Sequence, residues 1–294
     1  MKELAGKTAF ITGGASGMGL AMGHAFADAG MNVVLADIEA AALQQAVAGF
    51  ADSSTVHAVT LDVTDRQGWV AAADEAEATF GNIHLLCNNA GVATGGSFDN
   101  ASYEDWDWVV GVNLGGVFNG IRTMVDRIKA HGEGGHIVNT ASMAGFIANA
   151  AGIYSTTKFA VVGLSESLRP DLEPFNIGVS VLCPAFVATQ IFDSERNRPT
   201  DLATGPGINP DEKAINERMI GEGISPARVA TQVVQSVRDN ALYIFPHPET
   251  RVATKIRFDQ VLEAMAENPD NEDQQTFAEG SIHAIRKRSL KDPT

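Results

Sequence analysis

The sequence predicts an α/β fold: a single doubly wound parallel sheet of about seven strands, with helices on both faces and a C-terminal helical extension. Short β-prone apolar runs alternate with helical patterns along the chain, and a glycine-rich turn joins the first run to the first helix. No repeat of solenoid length interrupts this alternation. With 294 residues, 45% of them hydrophobic, the chain can bury one large core rather than two small ones.

The first strand is expected from Lys7 to Thr12, and it runs directly into Gly13-Gly14-Ala15-Ser16-Gly17-Met18-Gly19. Behind the glycines, Met18, Ala21, Met22, Ala25, Phe26 and Ala29 recur at helical spacing, and Gly30 stands where a helix end favours positive φ. Such a turn lets backbone approach a pyrophosphate, and the helix start offers free N–H groups and a positive dipole end. Taken alone, it could equally be an ordinary strand-to-helix connection. The second strand, Asn32 to Asp37, ends in an acid about 20 residues beyond the loop, where a carboxylate can accept hydrogen bonds from an adenosine ribose. A 2′-phosphate would meet Asp37 with like charge, and Ser16, Ile38 and Glu39 beside it offer no cation. The expected cofactor is therefore NAD rather than NADP.

Leu43, Ala46, Val47 and Phe50 mark the second helix, and Val56 to Leu61 the third strand. Thr64 and Gln67 form a capping-box pattern for the third helix, with Val70, Ala73, Ala76 and Phe80 as its core face. The fourth strand is Ile83 to Asn88, followed by a long helical region from about Ser102 to Ala130 in which Trp106 and Trp108 are read as packing residues. A strand from Gly135 to Ala141, a helix from Ile153 to Glu173 and a strand from Gly178 to Cys183 come next. Phe186 to Gly223 lose all periodicity, too long a stretch for an idle connection, and are read as a substrate lid. Ser225-Pro226 caps a helix whose inner face is Val229, Val233 and Val237, and Ala241 to Phe245 is the last strand. The expected organisation is one domain: residues 1–185 as core, 186–224 as lid, 225–248 as the last helix and strand, and 249–294 as the extension.

Tyr154 and Lys158 stack a phenol and an ammonium on one helix face. An ammonium about 5 Å from a phenolate, at an effective dielectric of about 20, favours the anion by about 3 kcal/mol, which is about two pKa units. That would move the phenol toward the range of a working base. A solvated helix face explains the same spacing, so the surrounding residues decide.

Thr12-Gly13-x-x-x-Gly17-x-Gly19, Asp62-Val63, Asn88-Asn89-Ala90-Gly91, Asn113, Ser142 and the Tyr154/Lys158 pair follow one another in an order that resembles the short-chain dehydrogenase/reductase family over about the first 190 residues. The resemblance implies a Rossmann-type fold and a nicotinamide cofactor held by Gly13, Ser16, Gly17, Met18, Gly19 and Asp37. It extends that set to Asp62, Val63, Asn89, Ala90 and Gly91, and then to Tyr154, Lys158, Pro184, Val187 and Thr189. It implies that Tyr154 exchanges a proton with the substrate oxygen, that Ser142 holds that oxygen, and that Lys158 lowers the phenol pKa and binds the nicotinamide ribose. Asn113 would hold a water linking Lys158 to solvent. One departure is Pro184-Ala185, where the family usually has Pro-Gly.

Phe146, Ile147, Phe186, Ile191 and Phe192 are expected around the pocket mouth, which suggests a bulky apolar or aromatic secondary alcohol or ketone. The stretch Asp239 to Glu249, Asn139 to Ser142 and Arg198-Pro199 resemble bacterial dehydrogenases that oxidise the benzylic alcohol of lignin-derived β-aryl ethers. A hydroxysteroid or sugar-alcohol dehydrogenase stays open as an alternative, as does a non-catalytic dinucleotide sensor. Arg196 and Arg198 in the lid could meet a carboxylate or merely solvate the loop, and the second reading is favoured.

The net charge of −15 argues against a nucleic-acid partner, Arg286-Lys287-Arg288 being only a short basic cluster. Glu267 to Asp273 reads as a solvated acidic linker. Cys87 and Cys183 suit buried thiols, and His131 and His136 have zinc-like spacing without a cysteine pair, so no metal is expected. No apolar stretch reaches 18 residues and no signal-peptide core precedes the first strand, so the expectation is a cytoplasmic protein without a membrane partner. The family resemblance implies a homodimer or homotetramer.

Overall fold

The structure is a computed structural model that describes residues 1–94, 97–147, 152–203, 214–215, 218–219, 221–265 and 280. The acidic Glu267 to Asp273 stretch and the Arg286-Lys287-Arg288 cluster lie outside the described residues. Seven parallel strands form one sheet: β1 (Thr8–Thr12), β2 (Asn32–Asp37), β3 (Val56–Thr60), β4 (Ile83–Asn88), β5 (Gly135–Thr140), β6 (Ile177–Leu182) and β7 (Tyr243–Ile244), in the order β3-β2-β1-β4-β5-β6-β7. The order reverses between β1 and β4, where Ile11 lies opposite Leu35 on one side and Cys87 on the other. In open α/β sheets that reversal leaves a crevice beyond the strand ends.

The strands read as near-continuous apolar runs because both faces are covered. Ala9, Ile11, Val33 and Leu35 face one core, with α1 (Gly17–Asp28), α2 (Ala40–Ala48) and α7 (Pro226–Asp239). Phe10, Val34 and Ala36 face the other, with α3 (Arg66–Phe80), α5 (Val117–His131) and α6 (Gly152–Leu172). Phe10, Ile11, Val34 and Leu35 are fully buried, and each contributes about 1.5–3 kcal/mol of apolar transfer. α8 (Arg251–Ala264) buries none of its residues and reaches α6 through Arg257, whose guanidinium lies 4.9 Å from the Phe159 ring centre. Among the described residues no helix is long and apolar enough to cross a membrane.

The third helix starts one residue later than its sequence pattern suggests. Asp65, not Thr64, is the cap and accepts from Gln67 N, while the Thr64 hydroxyl bonds to Asp62. Its buried face is Trp69, Ala72, Ala73 and Ala76; Val70, expected inside, is 47% exposed because it points one residue around the helix from Trp69. Trp69 packs on Phe10 and donates Nε1–H to Val63 O at 3.0 Å, which fixes the loop after β3. Trp69→Ala should therefore cost about 4 kcal/mol. A urea-unfolding stability lowered by less than about 1 kcal/mol would contradict this role.

The long helical region is three pieces: α4 (Tyr103–Val110), a π-helical stretch Gly111–Gly116, and α5. Gly116 permits the close approach, since a Cβ there would lie 2.6 Å from Val63 Cγ2. Trp108 packs as expected, whereas Trp106 is 41% exposed because it falls on the outer face of α4.

Candidate active site

The glycine turn brings the end of β1 onto the start of α1. Gly13 and Gly17 have φ of +66° and +53°, which other residues rarely adopt, and a Cβ on Gly19 would sit 1.9 Å from Gly13 O. Ser16 begins α1 without a side-chain cap, and no acid occupies the first turn, so the helix start keeps its N–H groups for an anion. Met18 packs against the core from this turn. Asn89 ties the turn to β4: its backbone N–H donates to Thr12 Oγ1 at 2.9 Å, and Nδ2 donates to Thr12 O at 3.1 Å. Ala90 N also donates to Thr12 Oγ1.

Asp37 ends β2 with one backbone N–H on each oxygen, from Ala15 at 3.0 Å and Glu39 at 3.1 Å. Each oxygen keeps a second lone pair for a diol. Asp62 is turned toward Thr64, accepting from its N–H and hydroxyl at 2.8 Å each, and the neighbouring Val63 is buried.

Asn113 lies in the π stretch, fully buried. Oδ1 accepts from Val92 N at 2.8 Å, and Nδ2 donates to Val92 O at 2.9 Å and Thr157 Oγ1 at 3.3 Å. Its amide is thus a clamp on the loop after β4. Asn113 Oδ1 and Lys158 Nζ nonetheless converge: a Cβ on Gly91 would lie 3.3 Å from the first and 3.6 Å from the second.

Ser142 follows β5 with Oγ accepting from Ala144 N at 3.1 Å and reaching Pro184 O at 3.3 Å. It shares the cavity wall with Tyr154 and acts on the phenol to favour its anion. Lys158 is buried, and its ammonium donates to Thr140 O at 3.0 Å and stands 5.3 Å from the Tyr154 ring centre. Burial lowers the Lys158 pKa to about 8, with Cys183 opposing. The Tyr154 pKa is raised rather than lowered: protein around the ring disfavours the anion, and the Ser142 hydroxyl opposes this without cancelling it. Tyr154 is half-buried and lines the cavity. The ammonium is aimed at a carbonyl instead of the phenol, so the depression expected from four-residue spacing does not govern here.

These groups meet in a cavity of about 380 Å³. Gly13, Ser16, Gly17, Met18, Asp37, Asp62, Val63, Asn89, Ala90 and Gly91 line it with Ser142, Tyr154, Lys158, Pro184, Val187 and Thr189; Gly19 and Asn113 stand just behind. Of the residues expected at the mouth, Ile191 lines it. Phe146 turns away into an aromatic cluster with Tyr243 and Phe245, and Ile147 packs against the core. Phe186 is 40% exposed outside the cavity, and Phe192 lines a separate shallow groove. An irregular segment carries no periodicity from which side-chain direction could be read. The apolar wall instead comes from Val92, Trp108, Val112, Pro199 and Leu202.

Neither lid arginine is solvated freely. Arg198 is buried, 2.7 Å from Asp105 Oδ1 and over the Trp108 ring. Arg196 pairs with Glu39 across 157 residues. His247 was also silent in sequence: Ala185 N donates to its Nδ1 at 3.1 Å and its Nε2 donates to Phe186 O at 3.0 Å, which holds the loop after β6. The three glycines around Asn113 were the available sign of the π stretch.

At the opposite end of the sheet His84, His131 and Glu133 lie close enough to hold a metal, but their ring nitrogens are committed. Thr8 N donates to His84 Nδ1, whose Nε2 bonds Glu133, and His131 bonds Ile83 O and Glu133 N. His136 is buried against Ser180. Burial pushes both cysteine thiols up, and neither is bridged.

Residues 7–200 match the family model of the short chain dehydrogenases. The C alpha-dehydrogenase of Sphingobium sp. (strain NBRC 103272 / SYK-6) is 41% identical over 270 residues, covering 90% of this chain and 88% of that protein. A short chain dehydrogenase/reductase from Burkholderia phymatum, solved in complex with NAD, superposes with a TM-score of 0.85 at 38% identity, over 92% of this chain and 99% of that one. The apo form of LigO from Sphingobium sp. strain SYK-6 does so with a TM-score of 0.78 at 38% identity, over 99% and 100%. The fold, the ordered landmarks and these matches agree: the chain belongs to the short chain dehydrogenase family.

Proposed function

We propose that the chain is an NAD-dependent secondary-alcohol dehydrogenase, reversible as a ketone reductase. The observation that carries this reading is that Ser142, Tyr154 and Lys158 open on the same cavity as the glycine turn and Asp37. The residues fit the dinucleotide. A cradle too tight for any Cβ at Gly19 and an uncapped helix start suit its pyrophosphate, and the spare lone pairs of Asp37 suit its adenosine ribose. When bound, the nicotinamide supplies hydride acceptance or donation. Tyr154 takes the proton of the substrate hydroxyl during oxidation and returns it during reduction. Ser142 holds the substrate oxygen within reach of that phenol. Lys158, with a pKa of about 8, keeps a positive charge beneath the ring at neutral pH, and it can release a proton only slightly above it. Asn113 keeps Val92 and the π stretch in place behind both.

The substrate is a bulky apolar or aromatic secondary alcohol, of which a lignin-type benzylic alcohol is the specific case. Trp108, Val92, Val112, Ile191 and Leu202 support this, as does the relative's name, C alpha-dehydrogenase. Residues 1–185 act as cofactor-binding and catalytic core, 186–224 as lid and 249–294 as an appended arm. The chain works in the cytoplasm as a homodimer or homotetramer without nucleic-acid partners; exposed Tyr103, Trp106 and Phe118 on the helices after β4 support the assembly, and the charge of −15 supports the lack of a nucleic-acid partner. The test is NADH formation with a panel of racemic aryl and alicyclic secondary alcohols. Turnover of aryl members is expected; no turnover by a protein that binds NADH would favour a non-catalytic sensor.

A further inference from the structure

We infer that Glu39 sets cofactor choice by occupying Arg196, so that the lid carries a 2′-phosphate site masked by this one carboxylate. The inference rests on the dinucleotide reading above and names a specificity determinant within it.

Arg196 approaches Glu39 two-pronged, Nη2 to Oε1 at 2.6 Å and Nε to Oε2 at 3.3 Å. Asn197 Nδ2 adds a bond to Oε1 at 2.9 Å, and Nη1 donates to Asp193 O at 2.8 Å. Arg196, Asn197, Glu39, Ile38 and Asp37 line the same end of the cavity. Glu39 N donates to Asp37 Oδ1, which keeps the two carboxylates side by side on one loop. The fork that Arg196 offers a carboxylate is the one it would offer a phosphate. Loss of the present partner would free that fork. That partner is weakly held, because Arg196 and Glu39 side chains keep 31% and 29% of their exposure and water screens the pair.

Charge orders the consequences. With Asp37, Glu39 and Arg196 all present, this corner carries an excess negative charge and repels a 2′-phosphate. Removing Asp37 leaves Glu39 and Arg196 neutralising each other. Removing both carboxylates leaves the guanidinium fork open beside the ribose, with Asp193 engaging only its Nη1 side.

The test is equilibrium binding of NADH and NADPH, followed by nicotinamide fluorescence, to the wild type, D37A, D37A/E39Q and D37A/E39Q/R196Q. D37A should tighten NADPH about tenfold, and adding E39Q should tighten it about tenfold again, the size of one charge-assisted contact. R196Q should erase the second gain while NADH binding stays within a few-fold, and R196K should retain part of it. The inference is overturned if E39Q adds nothing, if its gain survives R196Q, or if R196Q weakens NADH and NADPH equally. Failure of the wild type to bind NADH would sink the dinucleotide reading instead.

Discussion

Tyr154→Phe is expected to slow hydride transfer by about 10³-fold while NADH still binds, the size of effect that a positioned acid–base group supplies. The substitution removes one oxygen from a ring already held by its surroundings, so the cavity keeps its shape. Ser142 would remain beside an empty position, with Oγ still accepting from Ala144 N. Because burial raises the Tyr154 pKa, the wild-type oxidation rate should climb with pH as the phenolate becomes accessible, whereas ketone reduction, which needs the protonated phenol, should not. Single-turnover rates in both directions from about pH 6 to about pH 10 check this, a range that brackets the ordinary phenol value from below. A Tyr154→Phe enzyme that kept its turnover would remove this phenol from the chemistry altogether.

Lys158→Met separates activity from stability. The ammonium sits buried with its pKa lowered from 10.5 to about 8, so the folded state disfavours the charged form. The unfolded chain holds this proton up to about pH 10, while the folded chain releases it near pH 8. Stability therefore rises as pH climbs between those values, and at about pH 7 the full penalty of about 3 kcal/mol is present. An apolar side chain of similar length removes that penalty and leaves Thr140 O without its donor, which returns about 1 kcal/mol. The variant should be more stable than the wild type at about pH 7, by about 2 kcal/mol, with the advantage shrinking above about pH 8. Its turnover should fall at least about 10²-fold, since a positive charge on the cavity wall, 5.3 Å from the Tyr154 ring centre, is lost. Thermal unfolding at about pH 7 and about pH 9.5 measures the first part, and a variant less stable at neutral pH would refute it.

Local patterns made much of this molecule legible. The β-prone runs mark the strands to within a residue or two, because both-face burial demands continuous apolar sequence. The glycine turn, Asp37 and Ser142 line one cavity, as their positions at strand ends suggest, and Tyr154 and Lys158 join them from α6. Val70 and Trp69 differ by a single residue of helical phase, which periodicity alone resolves poorly. Lid direction was beyond reach: whether Ile191 or Phe192 turns inward depends on tertiary ties such as Ala93 N to Ser194 Oγ, and these join segments 101 residues apart. The Arg196–Glu39 pair was hidden for the same reason, so the expectation that no cation stands near Asp37 holds for the β2 loop but not for the folded molecule. The raised Tyr154 pKa was missed because spacing fixes distance and not desolvation.

The π stretch between Val110 and Val117 inserts a winding offset into what is otherwise one rod. A regular helix advances about 100° per residue, so the face that α4 turns toward the cleft and the stripe that α5 lays on the sheet need not share an angular phase. Met124 and Ile128 can stay inward while Asn113 faces the loop after β4 behind the cavity. Each half of the rod can thus take the facing its own surroundings require, one set by the cleft and the other by the sheet.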